Sequence, residues 1–140
     1  MKVPSNYQTR LFLCYPGDMK RAILLVDHGS RREEANIMLL KVRDLVRSLC
    51  PEETVVHYAH MELAHPTIEQ GVAACVDDGA KEIIVHPYML APGRHAAEDI
   101  PRMAKEAAGA FQGVKVRVAE PLGIHINLAE VVLERCGVKL

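Results

Sequence analysis

Two short loops hold the residues best suited to chemistry: Asp27-His28-Gly29-Ser30-Arg31-Arg32 and Ala91-Pro92-Gly93-Arg94-His95. Each sets an imidazole beside a glycine and an arginine. Imidazole is a neutral metal ligand and a proton acceptor near neutral pH, so His28 and His95 make a metal or proton-transfer site the first hypothesis. Gly29 leaves room for a ligand to approach the backbone, and Ser30 suits the cap of a following helix. Arg31 and Arg94 suit an anionic, carboxylate-bearing substrate held by bidentate contacts, whereas Arg32 reads as a solvated helix-start arginine. Glu62, within His60-Met61-Glu62-Leu63-Ala64-His65-Pro66, could orient a ligating imidazole or accept a proton. It would equally serve as a first-turn carboxylate favoured by a helix dipole.

The elements that must position these groups follow from the apolar periodicity. Ala22 to Val26 is continuously apolar, as in a central parallel strand covered on both faces. Ala35, Met38, Leu39, Val42, Leu45, Val46 and Leu49 then recur at helical spacing. Thr54 to Met61 and Lys81 to Pro87 read as the second and third strands, and Val114 to Val118 as a wetter edge strand. A second helix carries Ile68, Val72, Cys75 and Val76. A third is expected from Asp99 as N-cap with Pro101 in its first turn, and a fourth runs from Asn127 to Arg135. Strands alternating with helices predict a single flavodoxin-like three-layer α/β domain with a four-stranded parallel sheet in the order 2-1-3-4.

In such a sheet the ligand crevice lies at the carboxyl ends of the strands, where six of the seven histidines are expected to fall. His60, His65 and His125 lie there in weaker contexts. His86, before Pro87, reads equally as a buried hydrogen-bonded residue, and His57 as mid-strand.

Composition narrows the function further. Seventeen basic against eighteen acidic residues, a net charge of -1, provide no global field for nucleic acid or anionic lipid. Cys14, Cys50, Cys75 and Cys136 show no metal-finger spacing, which reads as reduced thiols in a cytosol-like compartment. No apolar run approaches the length of a membrane span. No glycine-rich phosphate cradle follows the first strand, which disfavours a nucleotide. Residues 1–18 read as an appended tail, with the domain occupying 19–140.

Four segments, Val26 to Arg32, Ala59 to Ala64, Pro92 to His95 with Asp99-Ile100-Pro101, and Glu120 to His125, together resemble the short CbiX-type class II chelatases, nearest to the sirohydrochlorin ferrochelatases. The resemblance covers Arg21 to Arg135. It implies insertion of a divalent metal into sirohydrochlorin, a tetrapyrrole with eight carboxylates, with no organic cofactor. It places the two active-site histidines at His28 and His95 and implies a symmetric homodimer with facing crevices. Iron is the expected metal, with cobalt or nickel as alternatives, since intrinsic affinity rises along that series and selectivity must come from supply and geometry. The expected location is the cytoplasm, or the plastid stroma in a plant or alga. Plant relatives carry further cysteines for an Fe–S cluster, a feature not carried over onto the lone Cys136.

Two other readings compete. A phosphohistidine site at His28 is disfavoured by the acidic Asp27 before it. A non-catalytic metal or tetrapyrrole carrier could use the same histidines.

Overall fold

The computed structural model describes residues 19–139, so the expected boundary between tail and domain at residue 18 lies outside the described residues. Strand β1 (Arg21–Asp27) leads to helix α1 (Glu33–Leu49), β2 (Val55–His60), α2 (Ile68–Asp77), β3 (Glu82–Pro87), α3 (Arg94–Ala108), β4 (Lys115–Val118) and α4 (Ile126–Arg135). The strands form one sheet in the order β2-β1-β3-β4, and each pairing is parallel, as the alternating pattern predicts. All four strand-to-helix loops therefore leave from the same end of the sheet.

The core lies on one face. Ala22, Leu24 and Val26 of β1, Ala59 of β2, and Ile83 and Val85 of β3 pack against Ile68, Val72 and Cys75 of α2 and Ala96, Ile100 and Ala104 of α3. Small residues let the layers close. A Cβ added at Gly71 would stand 2.8 Å from Leu24 Cδ1 and 3.0 Å from the Ala59 Cβ, so only glycine lets α2 lie this near the sheet.

The opposite face is covered chiefly by α1. Its heptad-like pattern forms the expected helix, but the expected apolar face is not a buried face. Leu39 alone is buried, Val42 and Val46 are partly so, and Met38 and Leu45 are each 67% exposed. The reason is lateral placement. Helix α1 straddles β1 and β2, and among the described residues no further strand lies beyond β2 to receive its outer flank. Arg47 uses that flank, donating from Nη2 to the Val56 carbonyl at 2.6 Å and so covering part of the strand edge. Helix α4 has no buried side chain at all.

Helix α3 begins at Arg94 with Gly93 as N-cap, six residues ahead of the expected cap at Asp99. Ala96, Ile100 and Ala104, spaced four apart and all buried, seat the extra turn on the core. That burial outweighs the one backbone donor that Pro101 removes from the helix interior. Asp99 instead pairs with Arg102 Nη2 at 3.3 Å on the helix surface.

Because Leu39 is the one fully seated side chain of α1, Leu39→Ala should cost about 2–5 kcal/mol, read as a lower midpoint in urea unfolding. Met38→Ala on the exposed flank should leave the midpoint essentially unchanged.

Candidate functional site

The parallel ladder continues past the ends of β1 and β2 and fixes the first two loops together. The Met61 amide donates to the Asp27 carbonyl at 2.8 Å, and the Glu62 amide donates to the His28 carbonyl at 3.1 Å. His28 and Glu62 are thus neighbours through their backbones, with both side chains exposed. Glu62 lies six residues before α2, whose first turn carries Glu69 instead. The helix-dipole reading of Glu62 therefore does not apply. Between them sits Gly29, at φ +85°, where an added Cβ would fall 1.8 Å from the Glu62 carbonyl oxygen. Leu63 takes φ 70°, a left-handed conformation that costs a side-chain-bearing residue about 1–2 kcal/mol and turns the chain immediately after Glu62.

Asp27 organises this turn from beneath. Its Oδ1 accepts from the Gly29 amide at 3.0 Å and from His60 Nδ1 at 2.6 Å. His60 is 1% exposed. The second loop is closed behind it, with the His60 amide donating to the Pro66 carbonyl at 2.8 Å and Thr67 and Gln70 forming a capping box on α2. The sequence reading passed over this pair. The available signal was that β1 and β2 each end on a polar residue and that Asp27 and His60 stand opposite in register.

His95 reaches the same end by a different route. The Tyr88 amide donates to the Val26 carbonyl at 2.6 Å, which carries the third loop alongside the first. His95 then lies in the first turn of α3, exposed, and not in a free loop. Gly93 caps that helix without a side-chain hydrogen bond. The fourth loop is tied to the third, the amides of Leu122 and Gly123 donating to the carbonyls of Met89 and Leu90 at 3.0 and 2.9 Å.

The remaining candidates divide. Ser30 is not the helix cap, which is Arg32. Its Oγ accepts from the Arg32 amide at 3.0 Å, and Asn36 brackets its backbone from α1 at 2.9 and 2.8 Å. Arg31 is exposed, and Arg94 pairs with Glu98 at 3.6 Å on the exposed surface of α3. His57 pairs with Asp78 at 2.7 Å and ties β2 to the end of α2. His65 donates to Gln70 Oε1 at 3.0 Å, and His125 Nδ1 accepts from the Asn127 amide at 3.1 Å as the cap of α4. These three have structural partners. Burial pushes the Cys75 thiol up to about 12, which makes it inert.

Among the described residues no three histidine, cysteine or acidic side chains converge on one point. Four loops converging at the carboxyl edge of a parallel sheet, with histidines on the first and third crossovers, define an α/β protein with its ligand crevice at the strand ends. The chain belongs to the CbiX family, whose model matches residues 22–137. It is 43% identical over 116 residues to the sirohydrochlorin ferrochelatase, chloroplastic, of Arabidopsis thaliana, covering 81% of this chain and 50% of that protein. To the sirohydrochlorin cobaltochelatase of Sulfurisphaera tokodaii it is 33% identical, covering 81% of this chain and 88% of the relative. Among solved structures, the sirohydrochlorin chelatase SirB from Bacillus subtilis subspecies spizizenii in complex with cobalt superimposes with a TM-score of 0.75 at 34% identity. The match covers 85% of this chain and 50% of that one. The chain thus spans about half the length of two of these relatives and most of the third.

Two outcomes follow from the local physics. Gly29→Ala should lower stability by about 2 kcal/mol or more, through the left-handed backbone and the collision with the Glu62 carbonyl, seen as a fall in thermal midpoint. Burial holds the His86 imidazole below its ordinary range, so the unfolded chain takes up that proton first as the pH falls. The stability carried by neutral His86 is complete above about pH 6.5 and is lost as pH drops through the lower folded value. His86→Gln should therefore flatten the decline of the thermal midpoint below about pH 6.5.

Proposed function

We infer that this chain inserts a divalent metal, with Fe²⁺ as the leading substrate, into sirohydrochlorin. The observation that carries the reading is the joining of the His28 and Glu62 turns by backbone hydrogen bonds beside the crossover that carries His95. Membership of the CbiX family and likeness to sirohydrochlorin chelatases supply the substrate class.

The chemistry has two parts, and the residues suit both. A metal entering the macrocycle displaces two pyrrole N–H protons, and a neutral imidazole can either hold the incoming ion or accept a proton. His28 and His95 take the metal, and Glu62, in the adjoining turn, accepts a proton or orients a ring. The ion's remaining ligands come from the pyrrole nitrogens. Binding the ring bent would expose its nitrogen lone pairs, a distortion that favours the transition state over the flat substrate. Arg31 and Arg94 hold substrate carboxylates through bidentate contacts, and the Ser30 hydroxyl, whose oxygen already accepts from Arg32, donates to another. Gly93 leaves the amides of the first turn of α3 open to a carboxylate.

A homodimer with facing crevices is part of the proposal. His28, Glu62 and His95 are all exposed, and Leu63, Leu90 and Ile124 stand 57%, 66% and 106% exposed on three of the same loops. A macrocycle between two such apolar rims would be covered on both faces. Relatives at this chain's length and at about twice it fit a site assembled from two units. Cobalt is the alternative metal and nickel the less supported one. No described helix is long and apolar enough to cross a membrane, and the proposed location is the cytoplasm or, by likeness to the chloroplastic relative, the plastid stroma.

The test is anaerobic incubation with sirohydrochlorin and Fe²⁺ or Co²⁺, following the tetrapyrrole absorption spectrum. Turnover beyond one equivalent supports catalysis, and arrest at one equivalent would make the protein a carrier. His28→Ala and His95→Ala should each reduce turnover by about 10²–10⁴-fold with the fold retained. Unchanged turnover in both variants refutes the assignment. Light scattering coupled to size exclusion should give the mass of two chains.

A further inference from the structure

We propose that His60 and Asp27 are positioning residues for the metal-handling turn, holding His28 against Glu62 through a hydrogen-bonded relay. The proposal deepens the chelatase reading and rests on it for the identity of the reaction.

Three observations point the same way. A histidine so fully buried is normally satisfied at both ring nitrogens, yet His60 uses only Nδ1, and Nε2 has no partner among the described residues. A buried polar atom left in that state costs stability, so apolar packing alone does not account for a histidine here. Second, the hydrogen-bond partner of the ring among the described residues is a single carboxylate oxygen, Asp27 Oδ1, which also receives the Gly29 amide. That amide is the link directly after His28. Third, the turn has no slack. The Gly29 backbone faces the Glu62 carbonyl so closely that a Cβ there would overlap it, and the same Cβ would sit 3.1 Å from the His60 Cβ. A shift of the His60 ring is therefore passed to Gly29 by the shared carboxylate, and from Gly29 to His28.

The relay acts through geometry. An imidazole Nδ1–H donating to Asp27 anchors the carboxylate in the orientation that also accepts from Gly29, and the His28 carbonyl is then placed for the Glu62 amide. Neither Asp27 nor His60 has to meet the substrate. Such supporting partners commonly contribute about 10–100-fold to metal affinity or activity.

The experiment exploits the two ends of the imidazole. Asparagine puts an amide donor where Nδ1 stands, glutamine puts it near Nε2, and leucine supplies none. His60→Asn should keep turnover close to that of the unmodified chain, while His60→Gln and His60→Leu should lower kcat by about tenfold or more with KM for the tetrapyrrole little changed. In a His28→Ala background, His60→Leu should cause no further loss, because the residue it positions is gone. Amide and ring NMR signals of Gly29 and His28, recorded without substrate, should move in the Gln and Leu variants and stay in place in Asn. Equal behaviour of Asn and Leu, or a further loss in the His28→Ala background, overturns the relay. If the unmodified chain shows no turnover at all, the chelatase reading fails, and the NMR signals still decide the relay: unmoved Gly29 and His28 resonances in His60→Leu sink it.

Discussion

The pairing of β1 with β2 outlasts the strands themselves, and the candidate site depends on that continuation. In a parallel ladder each residue's partners are fixed by register, so carrying the ladder two residues further fixes the loops with the same precision. His28 and Glu62, far apart along the chain, become neighbours because Asp27 and His60 are opposite each other. Gly29 is the residue that lets the two loops come this close, since any side chain would occupy the place of the Glu62 carbonyl.

The third loop joins the arrangement through β3, which lies on the other side of β1. The central strand carries the His28 loop between the Glu62 loop of β2 and the His95 loop of β3, the kind of crevice that open α/β sheets provide at their strand ends. What the described residues do not provide is enclosure. The chemistry-bearing side chains are exposed, and the apolar residues around them face outward. A large, flat, carboxylate-fringed guest matches that kind of surface better than a small molecule, which would need a closed pocket to lose its water.

Much of this was legible in the residues. Continuous apolar runs marked the buried strands, and the alternating Lys115 and Arg117 marked β4 as an edge, because a strand's surroundings set its pattern directly. The sheet order follows from right-handed crossovers with little freedom left. The errors arose where burial depends on neighbours that periodicity cannot see. Helix α1 has the pattern of a buried helix, but it overhangs the edge of the sheet, so Met38 and Leu45 remain outside. The start of α3 was displaced because Pro101 and Asp99 looked like a helix beginning, whereas Ala96 and Ile100 anchor an earlier turn in the core. Ser30 makes a cap-like bond to the amide two residues on, but α1 starts only at Glu33, so that bond closes a turn ahead of the helix. His60, read as lying at the strand ends in a weaker context, is the most buried imidazole described, a fact set by the register of two strands and by no local pattern.

The earlier start of α3 changes how one of the two histidines can move. His95 stands one residue before Ala96, which is 1% exposed and clamped in the core, so its backbone is as rigid as the helix. Its ring can travel only by rotation about side-chain bonds, a picosecond-to-nanosecond event at an exposed position, without any slower opening of a flap. If His95 takes the ion as proposed, the handover to a waiting ring of nitrogens is a swivel of one imidazole over a stationary frame.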